Sequence, residues 1–140
     1  MAKTSPRASN NPYKKKGSII GLEQGKIPPQ AVELEEAVLG ALMIDKNALN
    51  EVIDILESEC FYKDAHREIY SAIKTLFTES QPIDMLTVST MLRKNGKLEL
   101  CGGDYGIANL TQKVASSAHI EYHARIIVQK HIQRSLIRVS

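Results

Sequence analysis

SAHIEYHARIIVQKHIQRSLIRVS, residues 117–140, reads as one amphipathic helix. Projected at about 100° per residue, Val128, Ile132, Leu136 and Val139 fall on one narrow stripe, spaced four, four and three apart. Roughly opposite run Lys130, Arg134 and Arg138, with Ile126, Ile127 and Ile137 between and beside them. A surface helix docks on its own core through one apolar face. Here apolar residues reach round more than one side, so the stripe is expected to be covered by something outside these 140 residues. No Gly, Asn or Pro follows Leu136 to end the helix, which is therefore expected to be an unfinished element; a frayed last helix on a monomer is the plainer alternative.

Upstream, the same periodicity repeats in shorter pieces. Gln30 to about Ile44 carries Leu34, Val38, Ala41 and Leu42 on one face, with Glu33, Glu35 and Glu36 crowding the first turns, where the helix dipole favours carboxylates. Asp45 or Asn47 caps a second helix, in which Leu49, Val52, Ile53 and Leu56 fit the i, i+3, i+4, i+7 pattern as far as Glu57. Asp64 is the expected cap of a third, running to about Thr78 with Ile69, Ile73, Leu76 and Phe77 inward. Asp84 caps a fourth, which carries Leu86, Met91 and Leu92 and closes at Asn95-Gly96. Gly102-Gly103 marks the next turn, Tyr105 to about Lys113 a fifth helix through Ile107 and Leu110, and Ser116 or Ser117 the cap of the sixth. No segment alternates well enough to be a strand. The expected fold is all-α: five helices in a small globule (27–116) and a longer sixth (117–140) projecting from it.

The charge is unevenly placed. Residues 1–26 carry six Lys or Arg and one Glu, whereas the remaining 114 hold twelve basic and fifteen acidic side chains, a net of minus three. A mildly acidic body argues against a major phosphate-binding surface. The basic segment, rich in Ser, Asn, Pro, Gly and Lys, is read as a disordered tail, and Ile27-Pro28-Pro29 as an extended lead-in. Cys60 and Cys101 stand far apart with no secretory signal before them, which favours reduced thiols in a cytosolic protein over a disulfide. Apolar runs are only a few residues long, so no membrane span is expected.

Constellations for chemistry are weak. His119 and His123 lie four apart, with His131 two turns on, but two histidines without a converging third ligand do not make a metal site. Gly96-Lys97 is no phosphate loop: Met91 stands where the first glycine is needed and Leu98 where Ser or Thr is. Gly102-Gly103-Asp104-Tyr105-Gly106 follows no strand and reads as a turn between helices. No catalytic, cofactor-binding or metal-binding residues are assigned; Gly96, Gly102 and Gly103 are structural turns.

Four blocks in order resemble the N-terminal domain of bacterial replicative DNA helicases of the DnaB type: IPPQAVELEEAVLGALMID (27–45), FYKDAHREIYSAI (61–73), PIDMLTVSTMLRKNGKLELCGGDYGIANL (82–110) and SAHIEYHARIIVQKHIQRSLI (117–137). The resemblance implies a helical head followed by a helical hairpin, of which the sixth helix would be the first arm. It also implies a RecA-like motor domain beyond Ser140, which would hold ATP, magnesium and most DNA contacts and assemble as a hexameric ring in the cytoplasm, at the replisome. Hairpins of neighbouring subunits pair in that family, and the collar they form receives primase and, as a further possible partner, a helicase loader. Val128, Ile132, Leu136 and Val139 are then the expected subunit interface, and Lys130, Arg134 and Arg138 a candidate docking row whose alternative is a solvated basic face. The long basic tail departs from the family pattern and inherits no role. The competing expectation is a nucleic-acid-binding module acting through the tail and the sixth helix; a small helical enzyme finds no converging acid, base or nucleophile.

Overall fold

A computed structural model describes residues 27–114 and 117–139, without the side chains of Arg138 and Val139; the expected tail 1–26 and the candidate cap Ser116 lie outside the described residues. Among the described residues every regular element is helical: α1 (Val32–Ile44), α2 (Ala48–Val52), a 3-10 turn (Ser58–Cys60), α3 (Asp64–Thr78), α4 (Met85–Lys94), α5 (Gly103–Thr111) and α6 (Ile120–Val139).

α1 is the axis of the molecule. Its amphipathic pattern gives way in the second half to burial on nearly every side, with Val38 through Met43 all inside, because α3, α5 and α6 pack around it. The crossing with α5 is close enough to need glycine: a Cβ on Gly40 would lie 2.2 Å from the carbonyl oxygen of Leu110. Beneath α1 sit Leu56, Phe61, Tyr70, Ile73 and Leu92, all essentially inaccessible. The rings of Phe61 and Tyr70 are tilted 5.2 Å apart, and the Tyr70 hydroxyl donates to the Leu56 carbonyl at 3.2 Å.

Several expected boundaries move. The second helix stops at Val52 instead of near Glu57: the Ile55 and Leu56 amides both donate to the Val52 carbonyl, tightening the chain so that Leu56 turns into the core. Asp64 is not a cap. It is the first residue of α3, after an extended Lys63, and its carboxylate pairs with Arg67. Phe77, expected inward, faces solvent, as does Leu86 on α4; Tyr70 and Val88 lie in the core. Asp84 does cap α4, accepting the Thr87 amide at 2.8 Å while the Thr87 hydroxyl accepts the Asp84 amide at 3.0 Å, a reciprocal capping box. α4 closes on Gly96 at φ +74°, with Lys97 donating to Leu92 and Gly96 to Arg93, the paired bonds of a left-handed helix end. Gly102 and Gly103 likewise have positive φ and start α5 two residues earlier than the apolar pattern suggests.

α6 runs antiparallel to α1. Near its start the Ser117 hydroxyl donates to Asp45, just past the end of α1, and near its far end Arg134 reaches Pro29, just before α1 begins. Ser117 thus spends its hydroxyl on a tertiary bond rather than on the expected cap.

Candidate docking face on the last helix

Two different faces of α6 do different work. Ile120, Ala124 and Ile127, spaced four and three, are buried against α1 and α2. Half a helix length further, the same inward face turns polar, and Arg134 takes over: its guanidinium donates to the Pro29 carbonyl at 2.8 Å and the Cys60 carbonyl at 3.0 Å, with Cζ 5.2 Å above the Tyr62 ring. Burial lowers the Arg134 pKa, and the nearby Glu35 carboxylate opposes that shift. The expected basic row is therefore divided. Arg134 is committed to the chain's own backbone, Lys130 is half-exposed, and the side chain of Arg138 lies outside the described residues.

The stripe Val128, Ile132, Leu136 lies about 120° round the helix from the buried face. Ile132 is 52% and Leu136 64% exposed, and Val128 only edges the core; the side chain of Val139 lies outside the described residues. Beside the stripe, the turn after α2 brings up Ile55. Ile55, Val128 and Ile132 floor a shallow groove of about 370 Å³ rimmed by Arg125, Gln129 and Gln133. Arg125 is paired with Glu121 one turn back at 2.9 Å. The groove has apolar floor, polar rim and no titratable group on its floor, which suits packing against a side chain or helix and not covalent chemistry.

The core also contains a polar tie that the periodicity argument misses. Glu35 is buried; one of its oxygens accepts the Tyr62 amide at 2.7 Å and the other faces His66 Nδ1 at 2.7 Å. Arg67 donates to the carbonyls of Phe61 (2.7 Å) and Tyr62 (3.1 Å). The segment Cys60–Tyr62 is thus held from α1 by Glu35, from α3 by Arg67 and from α6 by Arg134. A signal for Glu35 exists in the sequence: Val38, Leu39 and Leu42 stand three, four and seven residues after it, so it lies on the apolar stripe of its own helix and not merely in its first turn.

Among the described residues no three His, Cys, Asp or Glu side chains converge on a metal position. His119 is exposed on the turn before α6, and the His123 ring lies 6.0 Å from Tyr122. Cys60 and Cys101 are free and buried; burial pushes both thiols up, Cys101 to about 11. No described helix is long and apolar enough to cross a membrane.

Comparison with known proteins places this geometry. Residues 27–129 match the family described as DnaB-like helicase N terminal domain. The replicative DNA helicase DnaB of Rhodothermus marinus is 46% identical over 114 residues, 81% of this chain and 12% of that protein. The DnaB of Geobacillus stearothermophilus is 39% identical over 115 residues, 82% of this chain and 25% of that protein. The chain therefore spans a quarter or less of these relatives. The crystal structure of the N-terminal domain of DnaB helicase from Mycobacterium tuberculosis superposes with a TM-score of 0.77 at 33% identity, covering 80% of this chain and 81% of that one.

Proposed function

The chain belongs to the DnaB-like helicase N-terminal domain family, and from that premise we propose that it is an assembly and partner-docking module of a hexameric replicative DNA helicase. In this reading ATP hydrolysis and DNA translocation belong to a motor domain in the remainder of the protein, which works in the cytoplasm at the replisome. The module contributes subunit association through Val128, Ile132, Leu136 and Val139, and a surface for primase or a helicase loader that includes Lys130 and Arg138. The observation that supports it is the position of Ile132: half exposed, on a helix already fully docked through a different face. An isolated domain gains nothing from a second apolar face in water, whereas a helix–helix contact buries it at about 25 cal/mol per Å² of apolar surface.

Sedimentation at rising concentration tests this. The wild-type chain is expected to self-associate, and Ile132→Asp to remain monomeric with an unchanged melting temperature. A wild-type chain that stays monomeric throughout overturns the assembly reading. Titration with single-stranded DNA at two salt concentrations tests the competing nucleic-acid module: phosphate contacts give steeply salt-dependent affinity, and the mildly acidic body predicts none at low salt.

A further inference from the structure

We propose that the groove between the first turns of α3 and α5 is a binding site for a phosphate group, held by Lys63, Lys113, the Nε2 of His66 and the backbone amides that open α3. No residue of α6 lines this groove, so the site is separate from the docking face.

The groove is about 230 Å³. Lys63, Ala65 and His66 bring the start of α3 to it, and Gly102 brings the start of α5. Both helices begin without a side-chain cap. The Ala65 and His66 amides, too early in α3 to reach a carbonyl within the helix, take no hydrogen bond among the described residues. A helix start carries about half a positive charge, and open amides of this kind are what a phosphate binds. Two such starts open on one groove. On the α5 side the wall is bare backbone at Gly102, φ +87°, and Gly106, so no side chain fills the space there.

A buried histidine makes the second, independent argument. His66 is 3% exposed and its Nδ1 is engaged with Glu35, a residue that does not line the groove. Nε2, on the other edge of the ring, has no hydrogen bond among the described residues. An unmatched polar atom at that depth is costly, and the groove is where a partner for it can enter. A phosphate suits either tautomer: it presents P–O⁻ acceptors in every form and, as the inorganic ion near neutral pH, a P–OH donor as well.

Charge completes the site. Lys63 is exposed and enters none of the ion pairs formed among the described residues. Lys113, just past the end of α5, is paired with Glu36 at 3.4 Å, longer than a tight charge-assisted bond, so it can turn to an anion. Glu36 is the one carboxylate in the lining, and the two ammonium groups outnumber it. Asp104, in the first turn of α5, is drawn away by Arg93 at 2.9 Å.

The test is a titration of the whole chain with inorganic phosphate, followed by NMR at fixed pH and fixed ionic strength, with phosphate replacing chloride. The amides of Ala65, His66 and Gly102 and the Nε2 resonance of His66 should shift and saturate together, while the Ile132 amide on α6 stays in place. Lys63→Gln should weaken binding roughly tenfold, the effect of losing one charged hydrogen bond, and Lys63→Gln with Lys113→Gln should abolish it. Both lysines are exposed, so both variants should keep the wild-type melting temperature in phosphate-free buffer. With added phosphate the wild-type melting temperature should climb and that of the double variant should not. Adenosine monophosphate, titrated in the same way, identifies the source: binding of both ligands assigns a phosphate group whatever carries it, and binding of the inorganic ion alone assigns the free ion. Shifts that never saturate, that persist unchanged in the double variant, or that gather at other lysines overturn the proposal.

Discussion

Glu35 and His66, thirty-one residues apart, meet in the core with carboxylate oxygen and Nδ1 2.7 Å from one another, 1% and 3% exposed. The second carboxylate oxygen accepts the Tyr62 amide, so one carboxyl group holds both the His66 ring and the backbone at Tyr62. One side chain thereby joins α1, α3 and the segment against which α6 is latched. Removing one partner of a buried pair strands the other, and the expected cost of Glu35→Ala is about 3–5 kcal/mol. Urea denaturation of Glu35→Ala, His66→Ala and the double variant measures it. The single losses should be strongly non-additive; additive losses would mean that the two residues act independently.

Arg134→Ala deletes two hydrogen bonds from a charged donor, each worth about 1.5–3 kcal/mol. Amide exchange should quicken along the distal half of α6 and in Cys60–Tyr62, while Ile120–Ile127 stays protected by its apolar packing. Arg134→Lys should recover little, since a single ammonium does not span two carbonyls and a ring as a planar fork does. Uniform exchange along α6 in the alanine variant would show that the latch holds nothing.

At Gly40, a methyl group meets the Leu110 carbonyl at 2.2 Å and the Val114 side chain at 2.5 Å. Backbone does not swing aside as a flexible side chain does, so Gly40→Ala is expected to cost about 3 kcal/mol, the upper end for overpacking, despite the better helix propensity of alanine. Ser80 offers the opposite case. It ends α3 at φ +56°, where glycine carries no Cβ penalty, and Ser80→Gly should raise stability by up to about 1 kcal/mol. Thermal melts of the two variants should move in opposite directions.

The Asn47 amide, and after it the Ser117 hydroxyl, hold the Asp45 carboxyl below its ordinary value of 3.8. A lowered folded-state value means that this tie between α1 and the start of α6 is fully present above that ordinary value and is lost as pH falls through the lower one. In Ser117→Ala the Asp45 titration, followed by NMR, should move back up toward 3.8, and the variant should lose less stability on acidification than the wild type.

Burial pushes the Cys101 thiol up to about 11 from 9.0. The folded state therefore keeps its proton, and the associated stability is complete below 9.0 and declines as pH rises toward 11. At mildly alkaline pH a colorimetric thiol reagent should find neither Cys60 nor Cys101 in the native chain and both after denaturation. Rapid native reaction would contradict the burial of both.

Helix number and order were legible from local chemistry alone. Asp84 with Thr87, Asn95-Gly96 and the double glycine at 102–103 are signals that a few neighbouring residues satisfy among themselves, so no distant partner can revise them. The second apolar face of α6 was legible for a related reason: helical spacing alone sets Val128, Ile132 and Leu136 on one side of the helix. Tertiary packing alone decided which stripe docks at home. Ile120, Ala124 and Ile127 reach the head because Ser117 and Arg134 tie the two ends of α6 to the two ends of α1, and that alignment spans 72 and 105 residues of separation. It also decided that α2 stops at Val52, that Phe77 and Leu86 face outward, and that Glu35 and Arg134 are structural. A helical pattern states which residues share a side, but a carboxylate on an apolar side becomes a tie, and an arginine in a basic row becomes a latch, only when a chain segment remote in sequence supplies the donors and acceptors.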